Sequence, residues 1–298
     1  LFVFALIMAE RWSRKKLRFH HNNSKKKMVR LRLRGWRAMA ALLISVLIVS
    51  LGFIIPAGQL AMWAAARWQE NINADFIDLL VNSFSLALVA ALCCLVVAVF
   101  LAYSKRLFSS ALEMGAIGVS GLGYAVPGTV IAVGVLIPAG HLDNQIDLMS
   151  RSWLDHPTGL LISGTIGILV FAYLVRFLSI ALNTVDAGLA AIKPSLDESA
   201  RSLGASPRKV LGSIHLPILR TSLLTALLLV FVEVLKELPT TLILRPFNFN
   251  TLAVRTYELA SDERLIDAAL PALAIVIIGL LPVLLITKSI LNERFSND

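Results

Sequence analysis

The sequence predicts an all-α membrane protein, and its composition and its long apolar stretches support that fold class. Of the 298 residues, 57% are hydrophobic and only 16% are charged, which leaves too little polar surface for a soluble fold. Several uncharged stretches reach or exceed the roughly 20 helical residues that cross about 30 Å of hydrocarbon. They are apolar at successive positions, without the two-residue alternation of a membrane barrel strand, so we expect helices.

Six membrane-spanning helices are expected, and one of them carries charged residues. The charged span covers residues 221–241. The five uncharged windows, in chain order, are residues 38–66, 79–104, 114–140, 157–175 and 268–287. We therefore assign residues 38–298 to one six-span domain.

Two of these windows contain residues that predict local features. Gly123, Pro127 and Gly128 interrupt the third window, and we expect them to break or kink that helix, because proline has no N–H to donate. Asn82 and Ser83 lie in the second window, where we expect their side chains to hydrogen-bond across helices.

Positive charge is concentrated in residues 10–37. This segment contains twelve Lys or Arg and one acid, a net charge of +11; because the whole chain carries +9, the other residues together carry −2. The positive-inside rule places such a segment in the cytoplasm as a linker, in contact with anionic lipid. Nucleic-acid binding is disfavoured, because the segment abuts a membrane span and has few aromatic residues, Trp12, Phe19 and Trp36, among its basic ones.

The same rule orients the rest of the chain. With six spans after the linker, the loops at 104–113 and 185–220 and the tail after residue 288 all fall inside, so both ends of the domain are cytoplasmic. Residues 1–9 are apolar but too short to span a membrane. We interpret them as the last turns of a preceding membrane helix, and expect more membrane protein upstream.

The segment ESARSLGASPRKVLGSIHLP, residues 198–217, is polar and basic although it lies between two apolar stretches. Ser195 is a good N-cap residue, and Glu198 three residues later completes a capping box, which predicts a helix over about residues 196–203. Gly204 then takes the position of a C′ glycine that ends the helix.

A second helix is predicted directly after this glycine. Ser206 as N-cap and Pro207 at the first helical position predict a helix over about residues 207–214, and Pro217 marks the start of the next span. We expect two short helices at an angle on the cytoplasmic face. Capping alone is also consistent with a plain structural loop between two spans. The spacing of the residues distinguishes such a loop from a functional element.

That spacing resembles the EAA loop of ABC importer permeases. The family pattern is EAA, three residues, G, nine residues, I, one residue, LP, and in this chain a serine replaces the middle alanine. The matching positions within the loop at 186–218 are Glu198, Ser199, Ala200, Gly204, Ile214, Leu216 and Pro217. The resemblance implies that the hairpin lies in a groove of a separate ATP-hydrolysing subunit, whose closure switches the pore between inward and outward access. It leaves open whether Glu198 contacts that subunit or only caps the hairpin.

Three further stretches narrow the resemblance to ferric-iron importer permeases of the binding-protein-dependent transport family. They are GYAVPGTVIAVGVL (123–136), AYLVRFLSIAL (172–182) and KELPTTLILRPFNFNTLAVRTYELASDERLIDAALPAL (236–273). Family members often join two six-span halves by a basic linker. The resemblance therefore implies a MetI-like second half with a first half fused upstream, a periplasmic substrate-binding protein, and location in a bacterial inner membrane. Permeases for thiamine, phosphonate, sulfate or polyamine share fold and loop, and remain alternative assignments.

Charged residues at membrane depth form a second candidate site. Glu233, Lys236 and Glu237 lie in the charged span, with Glu233 about 20 Å along the helix from its inner end. Lys236 is expected to pair with Glu233, with Glu237 near the same face. One interpretation is a polar pathway lining, in which Glu233, Glu237 or Tyr124 would suit Fe(III). The alternative is a structural ion pair that closes a gate or braces the bundle. Arg176, a further pathway candidate, is explained most simply by snorkelling from the inner end of the fourth span.

No enzyme motif accompanies these features. The sequence contains no P-loop, no metal-spaced Cys/His set and no nucleophile elbow. We expect no enzymatic activity and no cofactor on this chain, with ATP and Mg²⁺ bound by the partner ATP-binding subunit. An ion-coupled secondary transporter would explain the charges at depth but not the spacing of the hairpin, and a membrane scaffold would explain neither.

Overall fold

A computed structural model describes residues 34–108 and 111–295, and every regular element within them is helical, which confirms the predicted all-α class. The helices are α1 (Trp36–Val49), α2 (Ile55–Ala66), α3 (Trp68–Asn71), α4 (Ala74–Leu107), α5 (Ala111–Ser120), α6 (Gly128–Leu154), α7 (Ile166–Ala190), α8 (Pro194–Ser202), α9 (Pro207–Val210), α10 (Leu216–Leu235), α11 (Pro239–Leu244), α12 (Leu252–Ser261) and α13 (Leu265–Phe295). Residues 1–9 and nearly all of the basic linker lie outside the described residues.

Five helical segments of the described chain are long and apolar enough to cross a membrane, and six if one bent pair is a single span. The five are Trp36–Ala66, Ala74–Leu107, Ile166–Ala190, Pro207–Leu235 and Leu265–Leu284. In the bent pair, Ile117–Ala125 and Gly128–Trp153 meet at 119°. This bend confirms the predicted break at Gly123, Pro127 and Gly128.

By its internal contacts the chain separates into two units, residues 1–58 and 59–298. The described part of the first unit is α1, a π-helical turn at Ser50–Ile54 and the start of α2. None of the residues of α1 or of this turn is buried. A continuous apolar surface of this kind is typical of a helix that faces lipid.

The core of the second unit forms where α4, α7 and α10 pack against one another. Small residues dominate the buried face of α4, which allows the neighbouring backbones to approach closely. The buried small residues of α4 include Ala87, Ala90, Ala91, Cys94, Ala98 and Ala102. Larger side chains, among them Tyr173 and Phe177 of α7, fill the space opposite.

The fourth span starts later than predicted. It was expected over residues 157–175, but the helix is Ile166–Ala190, and the preceding apolar residues form a loop. Asp143 of α6 accepts hydrogen bonds from three successive N–H groups of that loop, at residues 161–163, over 2.7–3.1 Å. Because a carboxylate satisfies these N–H groups, the loop does not need helical hydrogen bonds there.

The fifth span ends earlier than predicted. It was expected to continue to residue 241, but α10 ends at Leu235 with Lys236 as its C-cap, and α11 begins at Pro239. Proline lacks an N–H and disfavours helical geometry in the residue before it. Lys236 and Glu237 therefore lie in a break between two helices, not within the span.

Asn82 and Ser83 make the hydrogen bonds across helices that the sequence predicts. The Asn82 side-chain amide donates to the Asn250 carbonyl (3.3 Å), and the Leu252 N–H donates to the Ser83 hydroxyl (2.7 Å). These bonds attach the start of α12 to α4.

We predict that Gly123→Ala destabilises the protein by about 1–3 kcal/mol, the usual cost of overpacking. The new Cβ would overlap with the backbone carbonyl of Val175, which belongs to a buried helix and has little room to move. Gly134→Ala is the matched control, because no atom lies within 4 Å of its added Cβ and alanine favours the helix.

Thermal unfolding of the detergent-solubilised variants measures the difference. Equal midpoints for the two variants would contradict the close approach of the break to α7.

Candidate functional site

Two groups of polar side chains are conspicuous in this apolar bundle. The first is the hairpin of α8 and α9 with the turn that follows, residues 194–215. The second surrounds the break at residues 123–128 and is called the break cluster below. Both were expected from the sequence, but several of their contacts differ from the expectation.

The first helix of the hairpin begins two residues earlier than expected, and the predicted capping box is wrong. Pro194 takes the first helical position and Lys193 the N-cap, without a side-chain cap bond. Proline suits that position because its φ is already helical and it needs no acceptor there. Ser195 therefore lies inside the first turn, and Ser199 donates back to its carbonyl (2.8 Å). Glu198 is exposed and shows no hydrogen bond or ion pair with any described residue.

The end of this helix confirms the role predicted for Gly204. Its φ is +82°, its N–H donates to the Arg201 carbonyl (2.9 Å), and the Ala205 N–H donates to the Ala200 carbonyl (3.0 Å). This pair of bonds is a Schellman motif. The motif holds Leu203, the residue before the glycine, with 88% of its surface exposed.

The second helix begins as predicted but does not end as predicted. The Ser206 hydroxyl accepts from the Lys209 N–H (3.4 Å), with Pro207 at the first helical position. The helix then continues through a π-helical turn, Leu211–His215, into α10, so Ile214, Leu216 and Pro217 lie at the base of the fifth span. The wider turn bypasses the bond that Pro217 is unable to donate.

Asp197 attaches the inner face of α8 to the bundle, a contact that the sequence did not indicate. One carboxylate oxygen lies 2.6 Å from Arg106 Nε and the other 2.6 Å from His215 Nε2. Burial tends to raise the pKa of this carboxyl, but the hydrogen bonds from Arg106 and His215 outweigh burial and lower the pKa below its usual range. Asp197 is therefore ionised at neutral pH.

Arg106 and Tyr103, near the end of α4, complete this attachment. The Arg106 guanidinium also donates to the carbonyls of Leu189 (2.5 Å) and Ile192 (3.0 Å), at the end of α7. A cation is favoured at the carboxyl end of a helix. The Tyr103 hydroxyl donates to the Pro207 carbonyl (2.7 Å). The local sequence around Arg106 gave no indication of these contacts.

In the break cluster, Arg176 is not a snorkelling residue, which corrects the prediction. It lies in the middle of α7, and its side chain is only 17% exposed. Its Nε lies 3.3 Å from a carboxylate oxygen of Glu237, and one Nη donates to the Val126 carbonyl (3.1 Å). A cation this far from the helix ends requires a counter-charge rather than a path to the interface.

Glu237 faces into the protein and makes the other half of this pair. Its second carboxylate oxygen accepts from the Thr240 N–H (3.2 Å) and hydroxyl (2.7 Å). The same hydroxyl lies 3.3 Å from the Gly128 carbonyl. A Cβ on Gly128 would come within 2.7 Å of side-chain atoms of Glu237, Arg176 and Thr240, so a larger residue there would displace these groups from one another.

The predicted pair of Glu233 and Lys236 is confirmed, at 2.8 Å. The Tyr124 hydroxyl donates to the other Glu233 oxygen (3.4 Å). Glu237 does not share this face, because α10 ends at Leu235 and helical spacing no longer applies beyond it. The structure therefore joins Tyr124 with Glu233 and Lys236, and separately joins Arg176 with Glu237.

The carboxylates of the break cluster are neutralised by cations. Glu233 pairs with Lys236, and Glu237 with Arg176. Within the described ranges, no three His, Cys, Asp or Glu side chains come together in a group that would hold a metal ion.

Arg176→Met is predicted to destabilise the protein by about 3–5 kcal/mol, because it leaves Glu237 buried without its counter-charge. The double variant Arg176→Met/Glu237→Gln should recover much of that loss, since no uncompensated charge remains. Thermal unfolding in detergent measures both effects.

The control for that variant is Lys236→Gln, which breaks the more exposed pair and should cost less than about 1 kcal/mol. Additive losses in the double variant would show that Arg176 and Glu237 are not coupled.

Comparison with known proteins agrees with this architecture. Residues 95–295 match the family model described as binding-protein-dependent transport system inner membrane component. A solved structure of a bacterial alginate ABC transporter, in complex with alginate pentasaccharide-bound periplasmic protein, contains a chain of the same fold. Its TM-score is 0.65 at 16% identity, over 85% of this chain and 92% of that one.

Two curated relatives are named for different substrates. Fe(3+)-transport system permease protein FbpB 2 of Haemophilus influenzae is 28% identical over 247 residues, 82% of this chain and 45% of that protein. Putative 2-aminoethylphosphonate transport system permease protein PhnV of Salmonella typhimurium is 26% identical over 258 residues, 82% of this chain and 91% of that protein. The chain thus spans about half the length of the first relative and nearly all of the second. Since the family model matches more than half of its residues, this multi-pass membrane protein belongs to the family of binding-protein-dependent transport system inner membrane components.

Proposed function

We propose that this chain is the permease subunit of an ATP-driven ABC importer, and that the hairpin at 194–215 couples it to a separate ATP-hydrolysing subunit. The observation that carries this proposal is the outward face of α8. Glu198 is exposed and shows no hydrogen bond or ion pair with any described residue, while Leu196 and Leu203 are exposed two turns apart on a different side of the helix. A helix that exposes apolar residues on one side and an unpaired carboxylate on another suits a groove of a partner that encloses more than one side of it.

The charge distribution supports the orientation of this importer. Lys193, just before the hairpin, and Arg201, Arg208 and Lys209 within it favour a cytoplasmic location by the positive-inside rule, on the side where ATP and its Mg²⁺ would be bound by the partner subunit. Both ends of the six-span domain are then cytoplasmic. A periplasmic binding protein delivers the cargo, and a second six-span half, fused upstream or separate, completes the pore.

Alternating access requires that a movement at the hairpin reaches the opposite side of the bundle. The helical segment Pro207–Leu235 is continuous over 29 residues, or about 43 Å at the helical rise. It begins in the hairpin and ends beside the break cluster, where Glu233 contacts Lys236 and Tyr124. Displacement of the hairpin therefore reaches the break cluster through a single rigid element.

Ferric iron is the proposed cargo. The resemblance of residues 236–273 to ferric-iron permeases and the similarity to FbpB 2 support it. The pairing of Glu233 and Glu237 with cations favours a bracing role for these carboxylates over direct ligation of iron. An aminoalkylphosphonate is the second candidate, because the similarity to PhnV extends over 91% of that protein.

Glu198→Lys is predicted to weaken the complex with the ATP-hydrolysing subunit by about tenfold, or about 1.4 kcal/mol, because it reverses a charge in the proposed interface. The measurement is the affinity between the purified subunits in detergent. Glu263→Lys is the matched control, an exposed glutamate beside the start of α13 and remote from the hairpin. Equal affinities for both variants would argue against docking through the outer face of α8.

Cargo is tested in proteoliposomes that contain the assembled importer and its binding protein. We expect ATP-dependent uptake of ferric iron and none of 2-aminoethylphosphonate. The reverse result would replace the iron assignment and leave the importer assignment intact, whereas no ATP-dependent uptake of either compound would contradict both cargo assignments.

A further inference from the structure

The inner face of α8 is attached to the bundle at one residue that bridges three other elements. Asp197 contacts Arg106 at the end of α4 and His215 at the end of the π-helical turn, each at 2.6 Å. Through its two Nη atoms, Arg106 also donates to the carbonyl of Leu189, in the last turn of α7, and to that of Ile192, just after α7. The carboxylate therefore connects α8 to α4, α7 and α10 together.

This connection is enclosed by protein. His215 is completely buried, and the ring of Tyr103 meets its ring edge to face, with centroids 5.4 Å apart. The Arg106 and Asp197 side chains are 16% and 21% exposed. Charge-assisted hydrogen bonds in such an environment are short and strongly oriented, so the contact resists displacement of α8 relative to the three helices.

The neighbouring ion pair of Lys105 and Asp186 is more exposed than the contact of Asp197 with Arg106. Lys105 lies 2.7 Å from Asp186, and both side chains are about 40% exposed. The pair links only α4 and α7, and it does not involve α8. Exposed pairs of this kind typically contribute little to stability.

The two faces of α8 therefore have different roles. Glu198 and Leu203 face outward, where they are free to contact a partner, while Asp197 and Ala200 face the bundle. Docking and attachment are made by different residues of one short helix, so they are separable by mutation.

We propose that Asp197 is a positioning residue that transmits movement of α8 to α4, α7 and α10, so that ATP hydrolysis and transport are coupled through it. This inference rests on the proposed importer function. Without Asp197, the outer face of α8 still docks, but α8 moves without carrying the spans with it.

The test uses the complete importer in proteoliposomes, with ferric iron on the binding protein, or 2-aminoethylphosphonate if the wild type carries that instead. Asp197→Ala removes the contact, and Asp197→Asn keeps its volume but not its charge. Asp186→Ala is the control in the exposed pair. Three quantities are measured: the amount of ATP-hydrolysing subunit that co-purifies, the stimulation of ATP hydrolysis by the loaded binding protein, and the cargo imported per ATP.

We expect both Asp197 variants to co-purify with the ATP-hydrolysing subunit as well as the wild type does. The stimulation by loaded binding protein and the cargo imported per ATP should each fall by about tenfold, within the roughly 5–150-fold range of allosteric coupling. Arg106→Gln should show the same defect, and combining it with Asp197→Asn should add little, because the two residues act through one contact. Asp186→Ala should behave as the wild type.

Wild-type stimulation and wild-type import per ATP in the Asp197→Asn variant would overturn the proposal. If Asp197→Ala does not assemble, Asp197→Asn decides, and failure of both to assemble would assign Asp197 to folding instead of transmission. Failure of the importer assignment is distinguishable, because then the wild-type chain itself would neither bind an ATP-hydrolysing subunit nor import cargo with ATP.

Discussion

The cost of leaving a polar group unpaired in hydrocarbon, several kcal/mol for each group, determines how the polar residues of this bundle are arranged. Arg176 lies in the middle of a span and is paired there with Glu237. Glu237 reaches it from the non-helical segment that follows the end of α10 at Leu235. Glycine at position 128 leaves room for this contact, because a Cβ would occupy the space where these groups meet. The break between α10 and α11 and the break before α6 therefore bring together the groups that neutralise Arg176.

A related constraint, the cost of burying an unpaired polar group inside the protein, separates the hairpin into two faces. On the side that faces the bundle, Asp197 is satisfied by Arg106 and His215, and the carbonyls at the end of α7 are satisfied by Arg106. Polar groups on the outer face, such as Glu198, are left without partners in the described residues. A free charge costs little in water, so the outer face is available for docking without loss of stability.

Continuity of the helical segment Pro207–Leu235 links the two sites. The hairpin and the break cluster lie at its opposite ends. Arg106, which holds Asp197 of the hairpin, also donates to the carbonyls of Leu189 and Ile192 at and just after the end of α7, and Arg176 of the break cluster lies in the middle of α7. A transport protein that alternates between two conformations needs such shared elements, because the hairpin and the break cluster must both shift the equilibrium between those conformations. The pairing of α7 and α10 in the core, with small residues of α4 against them, supplies a rigid unit for this purpose.

Features that depend on neighbouring residues were determined by the sequence itself. The apolar spans, the bend at residues 123–128, the glycine that ends α8 and the pair of Glu233 with Lys236 all follow from local spacing and backbone chemistry. Features that depend on how helices rotate against one another were decided only by the tertiary structure. Arg106 meets Asp197 across 91 residues of chain, and Arg176 meets Glu237 instead of the membrane interface. Local patterns do not specify helix rotation, so the partner of a charged residue on another helix is set when the bundle packs.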